Sequence, residues 1–337
     1  MSDQKHVNHP KLNKPFCSLK EIKEHLIQKN FEEITIDLDA FKEINYTELV
    51  SPYKIFFINS TNGNFKNYSK NLDFTTIMNW AKLDQTISAL LHIYIGFFER
   101  KLRSYTIDSL CALMKQNNDS NCVDYSFFDK YLDPSASSIA PCGLLSRDEI
   151  QNYQGNDYCS LFINDQLTSL INAIKDCFDV NNQRGSMIRS HYIKKYNQIP
   201  AYIALTELSL GETITLFSIL PMEKQAAFWV AEKGKKSSEA NNREYLLSQY
   251  RALKEILKIR NTVNHFKSII SLLKNYIDSN KDKKISDIFK YLKTTYKNAK
   301  INIDSNITIT KPTLPLIYNP ALSSTKNKLK TLIDSLY

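Results

Sequence analysis

The sequence predicts an all-α fold: a helical bundle with a helical and irregular N-terminal extension and a short extended C-terminal tail. Three observations carry that prediction. Apolar residues recur at three- and four-residue intervals over long stretches, first from Ile77 to Tyr105 and again from Leu246 to Leu273. Glycine is scarce: the seven, at positions 63, 96, 143, 155, 185, 211 and 234, never lie closer than twelve residues, too sparse for the hairpin turns of an all-β fold. No GxG pair exists, which removes the glycine-rich phosphate loops of dinucleotide folds and P-loop NTPases. The length of 337 residues and 42% hydrophobic content allow a sizeable core in one large domain or two smaller ones.

The elements follow in order. Ser18 and Glu21 have the spacing of a capping box, opening a short helix to about Asn30. Ile44 to Ile58 is aromatic and mixed in period, and Ser60 to Lys70 is an Asn-rich polar loop around Gly63. The extension is therefore placed at residues 1–72. From Asp73 one helix of more than 30 residues is expected, with Gly96 as a candidate kink, and residues 116 to 160 read as irregular connection with one short helix. Helices resume at 161 to 179, 186 to 196, 200 to 219, 222 to 233 and 242 to 275, and the helical domain is set at 73–275. Residues 276–337 hold a basic helix from 284 to 298 and a tail. There Ile301, Ile303, Ile307 and Ile309 alternate with polar residues before prolines 312, 315 and 320, so the tail reads as a short strand pair or an extended arm.

Charge is unevenly distributed. Arg243 to Lys300 contains 14 basic and 5 acidic residues, which accounts for the whole formal net charge of +9. Such a local excess suits an anionic partner, nucleic acid above all, and equally a solvated lysine-rich helix face. The six cysteines show no CxxC spacing and read as reduced, mostly buried thiols of a cytoplasmic protein. Met1 to Lys14 lacks an apolar signal core, and the longest apolar run, Ala89 to Phe98, is far too short for a membrane span. No Asp, Glu and His cluster has convincing metal spacing, so neither a metal nor another cofactor is expected.

The most informative segment runs Arg260-Asn261-Thr262-Val263-Asn264-His265. At about 100° per residue, Leu246, Tyr250, Leu253 and Leu257 form one stripe, and Arg260, Asn264, Asn261 and His265 fall on its continuation. A buried face thus becomes a cluster of donors and one imidazole. Metal-free RNA cleavage needs the ribose 2′-hydroxyl activated, charge on phosphorus stabilised and the 5′-oxygen protonated. A histidine can act as acid or base near neutrality, and an arginine fork matches phosphate oxygens. Arginine is rare here, eight against 36 lysines, so a lysine-biased surface does not explain Arg260. The competing account is a structural network in which Arg260 pairs with a carboxylate and His265 caps a carbonyl. Arg260 and His265 stand about 140° apart around a straight helix, so one phosphate meets both only across a groove or a subunit interface.

Flanking segments add a resemblance. Lys14-Pro15-Phe16, Ile44-Asn45-Tyr46, Ser51-Pro52-Tyr53, Leu83-Asp84, Glu99-Arg100-Lys101-Leu102-Arg103, Ile199-Pro200-Ala201-Tyr202 and Leu210-Gly211-Glu212-Thr213 occur in sequence order. Together with Arg260-Asn261 and His265 they resemble the Abi-like (AbiF-like) proteins of bacterial abortive-infection systems, within the HEPN superfamily and its R-N-x3-H signature. The chain departs from the family pattern in five places: no second Tyr follows Tyr46, Pro52 stands where the family usually has Gly, Tyr202 takes a tryptophan place, Leu210 a phenylalanine place, and Phe266-Lys267 follows the signature histidine where the family often has another His or Arg.

The resemblance implies a HEPN-type helical bundle, usually a homodimer, in which signature helices from two subunits or from two HEPN units meet in one composite site, and a metal-independent endoribonuclease acting as an antiphage, toxin-like effector. Its partner would be RNA, a small non-coding or target RNA, with an antitoxin or a phage-encoded trigger as further candidates. Arg260 would hold the scissile phosphate, His265 act as acid or base, and Asn261 orient one of them. Glu99 and Arg103 are candidates for the site wall, or an ordinary i,i+4 ion pair. Asn264, Lys254, Lys258 and Lys267 are candidates for the wall or for RNA contact. The alternative function is a catalytically silent scaffold that holds a structured small RNA in a defence ribonucleoprotein. A third reading is an interaction module that blocks a phage enzyme. His92, inside an apolar stretch, is read as a core residue, and His191 as surface, with Tyr192 and Tyr196 beside it suited to stacking on unpaired bases.

Overall fold

The computed structural model of the chain describes residues 18–62, 65–116, 164–182, 185–234, 236–265, 267–299, 311–317, 319 and 322–337. The fold is all-α, with one small β-hairpin. Helix α1 (Leu19–Gln28) starts at the expected capping box: Ser18 Oγ accepts the Glu21 N–H at 3.3 Å and Glu21 Oε2 accepts the Ser18 N–H at 2.6 Å. Short helices α2 (Ala40–Glu43) and α3 (Tyr46–Leu49) follow, then a 3₁₀ turn, Lys54–Phe57. Strands β1 (Ile58–Asn62) and β2 (Phe65–Tyr68) pair antiparallel where a polar loop was expected.

Helix α4 (Phe74–Gln116) is the axis of the fold, 43 residues that include Gly96 in one helical segment and about 65 Å long at 1.5 Å per residue. Its buried stripe, including Ile77, Trp80, Ile87, Leu91, Phe98 and Leu102, follows the predicted periodicity. After residues 117–163, where the expected irregular connection lies outside the described residues, come α5 (Asn164–Phe178) and α6 (Met187–Tyr196).

The single helix expected over 200 to 219 is instead α7 (Ala201–Ala204), a 3₁₀ turn and α8 (Leu210–Ser218). Ser209 and Glu212 form a second capping box, which restarts the backbone as a new helix. Helices α9 (Met222–Lys233) and α10 (Ser237–Ala240) lead to α11 (Arg243–Asn264), α12 (Ile269–Asp278) and α13 (Asp282–Lys297).

The helix expected over 242 to 275 is thus broken between Asn264 and Ile269. Ser268 Oγ caps α12 by accepting the Ser271 N–H at 3.1 Å, and the buried Asp84 carboxylate of α4 accepts the Ile270 N–H at 2.9 Å. These acceptors satisfy helix-start donors that a continuous helix would have paired internally.

The alternating stretch from Ile301 to Ile309 lies outside the described residues, and the end of the tail is corrected. Residues 311–317 have no regular structure and cross α4, where Leu316 O accepts the Trp80 indole N–H at 3.2 Å. The chain then ends in α14 (Ser323–Leu336), which buries Leu329, Leu332, Ile333 and Leu336 against α12 and α13. The i, i+3, i+4 spacing of those residues is a helical signal; the isoleucine alternation and prolines upstream drew the reading toward an extended arm. Buried apolar side chains form one cluster from Leu26 to Leu336.

Candidate functional site

The site lies where α11 crosses α4. Asn242 caps α11 by accepting the Tyr245 N–H at 3.2 Å, and Leu246, Tyr250, Leu253, Ile256, Ile259 and Val263 are buried. That anchoring sets Arg260 and Asn264, one turn apart, against the face of α4 that carries His92, Glu99 and Arg103. Arg103 Nη2 donates to Glu99 Oε1 at 2.7 Å and to the Leu208 carbonyl at 3.0 Å. Glu99 Oε2 lies 3.8 Å from Arg260 Nε, and Arg260 Nη1 donates to Asn261 Oδ1 at 3.4 Å. His92 Nδ1 is 3.3 Å from Asn264 Oδ1.

A small pocket of about 40 Å³ is lined by His92, Ile95, Gly96, Glu99, Arg260, Val263 and Asn264, room for about one water or one oxygen of an anion. The Nε atoms of Arg103 and Arg260 are buried and make no hydrogen bond. Buried donors are ordinarily paired, so this pair of guanidiniums retains donor capacity beside a carboxylate that neutralises only one of them.

His265 is placed elsewhere. It ends α11, its N–H reaching the Asn261 carbonyl at 3.1 Å, while Lys267 N–H closes the turn on Thr262 O at 3.0 Å. The His265 side chain is exposed and borders a second, larger groove of about 750 Å³, together with Glu48, Gln85, Ser88, Thr262 and Lys267. At the base of that groove Tyr53 donates to Asp84 Oδ2 at 2.7 Å. Burial pushes the Asp84 carboxyl above its usual range, opposed by hydrogen bonds from Tyr53 and the start of α12, and burial also raises the Tyr53 phenol. Val263 lines both depressions, so Arg260 and His265 open on opposite sides of one buried valine.

The remaining candidates divide accordingly. Arg260, Asn264, Glu99 and Arg103 come together; Asn261 is exposed at the edge and touches Arg260. Lys267 joins His265 at the larger groove. Lys254 is half-buried, its ammonium 5.5 Å from the Tyr250 ring centre and its pKa lowered by burial. Lys258 is exposed and lies 5.1 Å over the Tyr276 ring. Neither borders the Arg260 pocket.

His92 corrects the sequence reading. It is exposed, not in the core, and lines the pocket. Its spacing to Glu99 and Arg103, seven and eleven residues, was the available signal, since those intervals return to one helix face. Asp84 and Tyr53 are a second omission: they hold the break that exposes His265.

Among the described residues no group of three or more His, Cys, Asp or Glu side chains is arranged to hold a metal ion, and no helix is long and apolar enough to cross a membrane. A family model described as Abi-like protein matches residues 39–271. No curated protein and no solved structure matches the chain.

Proposed function

The chain belongs to the Abi-like protein family, and from that premise we propose that it is a metal-independent endoribonuclease of HEPN type, acting as an abortive-infection effector against phage. The observation that supports this most is the Arg260 pocket: a half-buried guanidinium paired with Glu99, with Asn264 and His92 beside it around space for a phosphate oxygen. In the reaction a base removes the ribose 2′-hydroxyl proton and the 2′-oxygen attacks the adjacent phosphorus. The bond to the 5′-oxygen breaks, and an acid protonates that oxygen, leaving a 2′,3′-cyclic phosphate and a 5′-hydroxyl. Arg260 binds the phosphate oxygens, where a fixed fork stabilises the charge that develops. His265 supplies acid or base catalysis, with Asn261 orienting the Arg260 fork. Because Arg260 and His265 open on different depressions of one chain, His265 acts on a phosphate held by Arg260 of a second copy.

The test is cleavage of RNA by purified protein in EDTA. The reading expects a 2′,3′-cyclic phosphate product, and loss of both cleavage and cellular toxicity in Arg260→Ala and His265→Ala with helical content retained. Parental activity in both variants would sink it.

The separation of Arg260 from His265 also favours a second reading, a non-catalytic scaffold that holds a structured small RNA. Copurification of one discrete RNA that stays intact through long incubation would support that reading over the first.

A further inference from the structure

A second surface of the molecule has the composition of a binding site and lies on other elements than the Arg260 pocket. Among the described residues, seven large hydrophobic side chains are exposed, and four of them, Met187, Ile188, Tyr196 and Tyr202, fall on α6 and the start of α7. Helix α6 is anchored by Arg189 and by Ile193, which packs against the core. Arg189 is buried and donates to the carbonyls of Cys177, Asp179 and Asn182 at 3.2, 2.6 and 2.5 Å, covering the C-terminal end of α5. Gly185 makes room for it: at φ +126° a Cβ would stand 2.8 Å from Arg189 Cδ. On α6, Met187, Ile188, His191, Lys194, Lys195 and Tyr196 are left exposed.

What it presents is aromatic and basic. Tyr192 lies between Tyr196 and Tyr202, with ring centres 5.8 and 6.4 Å away, and the Tyr192 and Tyr202 hydroxyls share a hydrogen bond of 2.8 Å. His191 packs edge-on to Tyr192, and the Lys195 ammonium sits 5.0 Å over the Tyr196 ring. Tyr196 and Tyr202 are 53% and 49% exposed, exposure that leaves ring surface for a ligand. From Met187 to Thr206 there is no Asp or Glu. Glu207, just beyond, is turned to the Ser186 N–H at 2.9 Å.

We infer that this surface is a stacking platform for an unpaired RNA strand, in which Tyr196 and Tyr202 receive bases while Lys194 and Lys195 meet the backbone. Aromatic rings beside lysines and no carboxylate match a π-faced polyanion. The hydroxyl bond between Tyr192 and Tyr202 keeps the two rings adjacent on the surface. The inference rests on RNA being what the protein engages, but not on its cleavage.

The experiment measures binding of a fluorescent oligoadenylate of about 12 nucleotides, within the range such surfaces cover, to the full chain carrying His265→Ala so that the probe stays intact. Tyr196→Ala and Tyr202→Ala should each weaken binding about five-fold or more, the loss expected for one stacked base. Tyr202→Phe, which keeps the ring, should stay within about two-fold, and an RNA duplex of equal length should be indifferent to all three. Unchanged affinity for the single strand would overturn the inference, and so would equal losses on the duplex. A change of oligomeric state in the tyrosine variants, read by sedimentation, would also overturn it by assigning the patch to a protein interface. Cleavage by the parent and by Arg260→Ala is scored separately, so the platform and the nuclease reading fail independently.

Discussion

Glu99 is shared by two arginines from different segments: one carboxylate oxygen accepts from Arg103 Nη2 at 2.7 Å, and the other lies 3.8 Å from Arg260 Nε. The i,i+4 pair on α4 is therefore more than a solvated helix ion pair, because its acid also orients an arginine 161 positions along the chain. Glu99→Gln should leave Arg260 in place but less constrained, and lower RNA cleavage about ten-fold. Arg260→Lys should cost about a hundred-fold or more, since an ammonium cannot reproduce the guanidinium fork. Single-turnover rates with circular dichroism as the folding control check both. Equal activity of Arg260→Lys and the parent would show that the fork is not used.

His92 borders the same pocket and touches Asn264. Its exposure means that His92→Ala removes no core packing, so unfolding temperature should hold within about 2 °C, as for most surface substitutions. Cleavage should nonetheless fall about ten-fold through loss of the Asn264 contact and of a pocket wall. A destabilised variant with intact specific activity would return His92 to a packing role.

Much of this arrangement was legible in the chain. The stripe on α11 that ends in Arg260 and Asn264 was visible because a 3.6-residue period forces those positions onto one face. The break after His265 was not, because its cause is tertiary: Ser268 is an ordinary serine until Asp84, 186 residues away in sequence from Ile270, supplies a second acceptor. His92 lies outside the core for a related reason. Its neighbours Leu90, Leu91, Ile95 and Phe98 are buried, and an apolar setting in sequence does not say which side of a helix faces out.

Asp84 gives a stability test. Asp84→Ala should leave the Tyr53 hydroxyl and the Ile270 N–H without an acceptor and cost about 3 kcal/mol, the scale of lost caps and unpaired buried groups. Asp84→Asn keeps an acceptor for Ile270 and should cost less. The pH dependence has a definite sign. The folded-state pKa of Asp84 is raised, chiefly by burial, so as pH falls the folded chain takes up this proton before the unfolded one. Its contribution therefore favours the fold progressively below the folded pKa and is lost as pH rises through it. Denaturant unfolding of the parent minus Asp84→Asn between about pH 7 and pH 4 should isolate this gain on acidification. A difference of opposite slope would mean that the Tyr53 and Ile270 hydrogen bonds outweigh burial.

The basic segment from Arg243 to Lys300 supplies the last prediction, because its lysines are not equivalent. Lys267 borders the groove beside His265 and is exposed, and Lys258 is exposed on α11. Each can approach a phosphate without burying an uncompensated charge. Lys254 is half-buried over Tyr250 and already disfavoured as a cation by burial. If the charge of this segment is an approach surface for RNA, each exposed lysine in contact releases counterions, at about 0.7 in the slope of log K against log salt per single-strand phosphate. Lys267→Ala and Lys258→Ala should each flatten that slope by about 0.7, and Lys254→Ala should leave it nearly unchanged. Binding titrations across a salt series give the three slopes directly. A uniform change in all three would mean that the protein responds to net charge alone, and the segment would then be a solvated lysine face with no defined path for the strand.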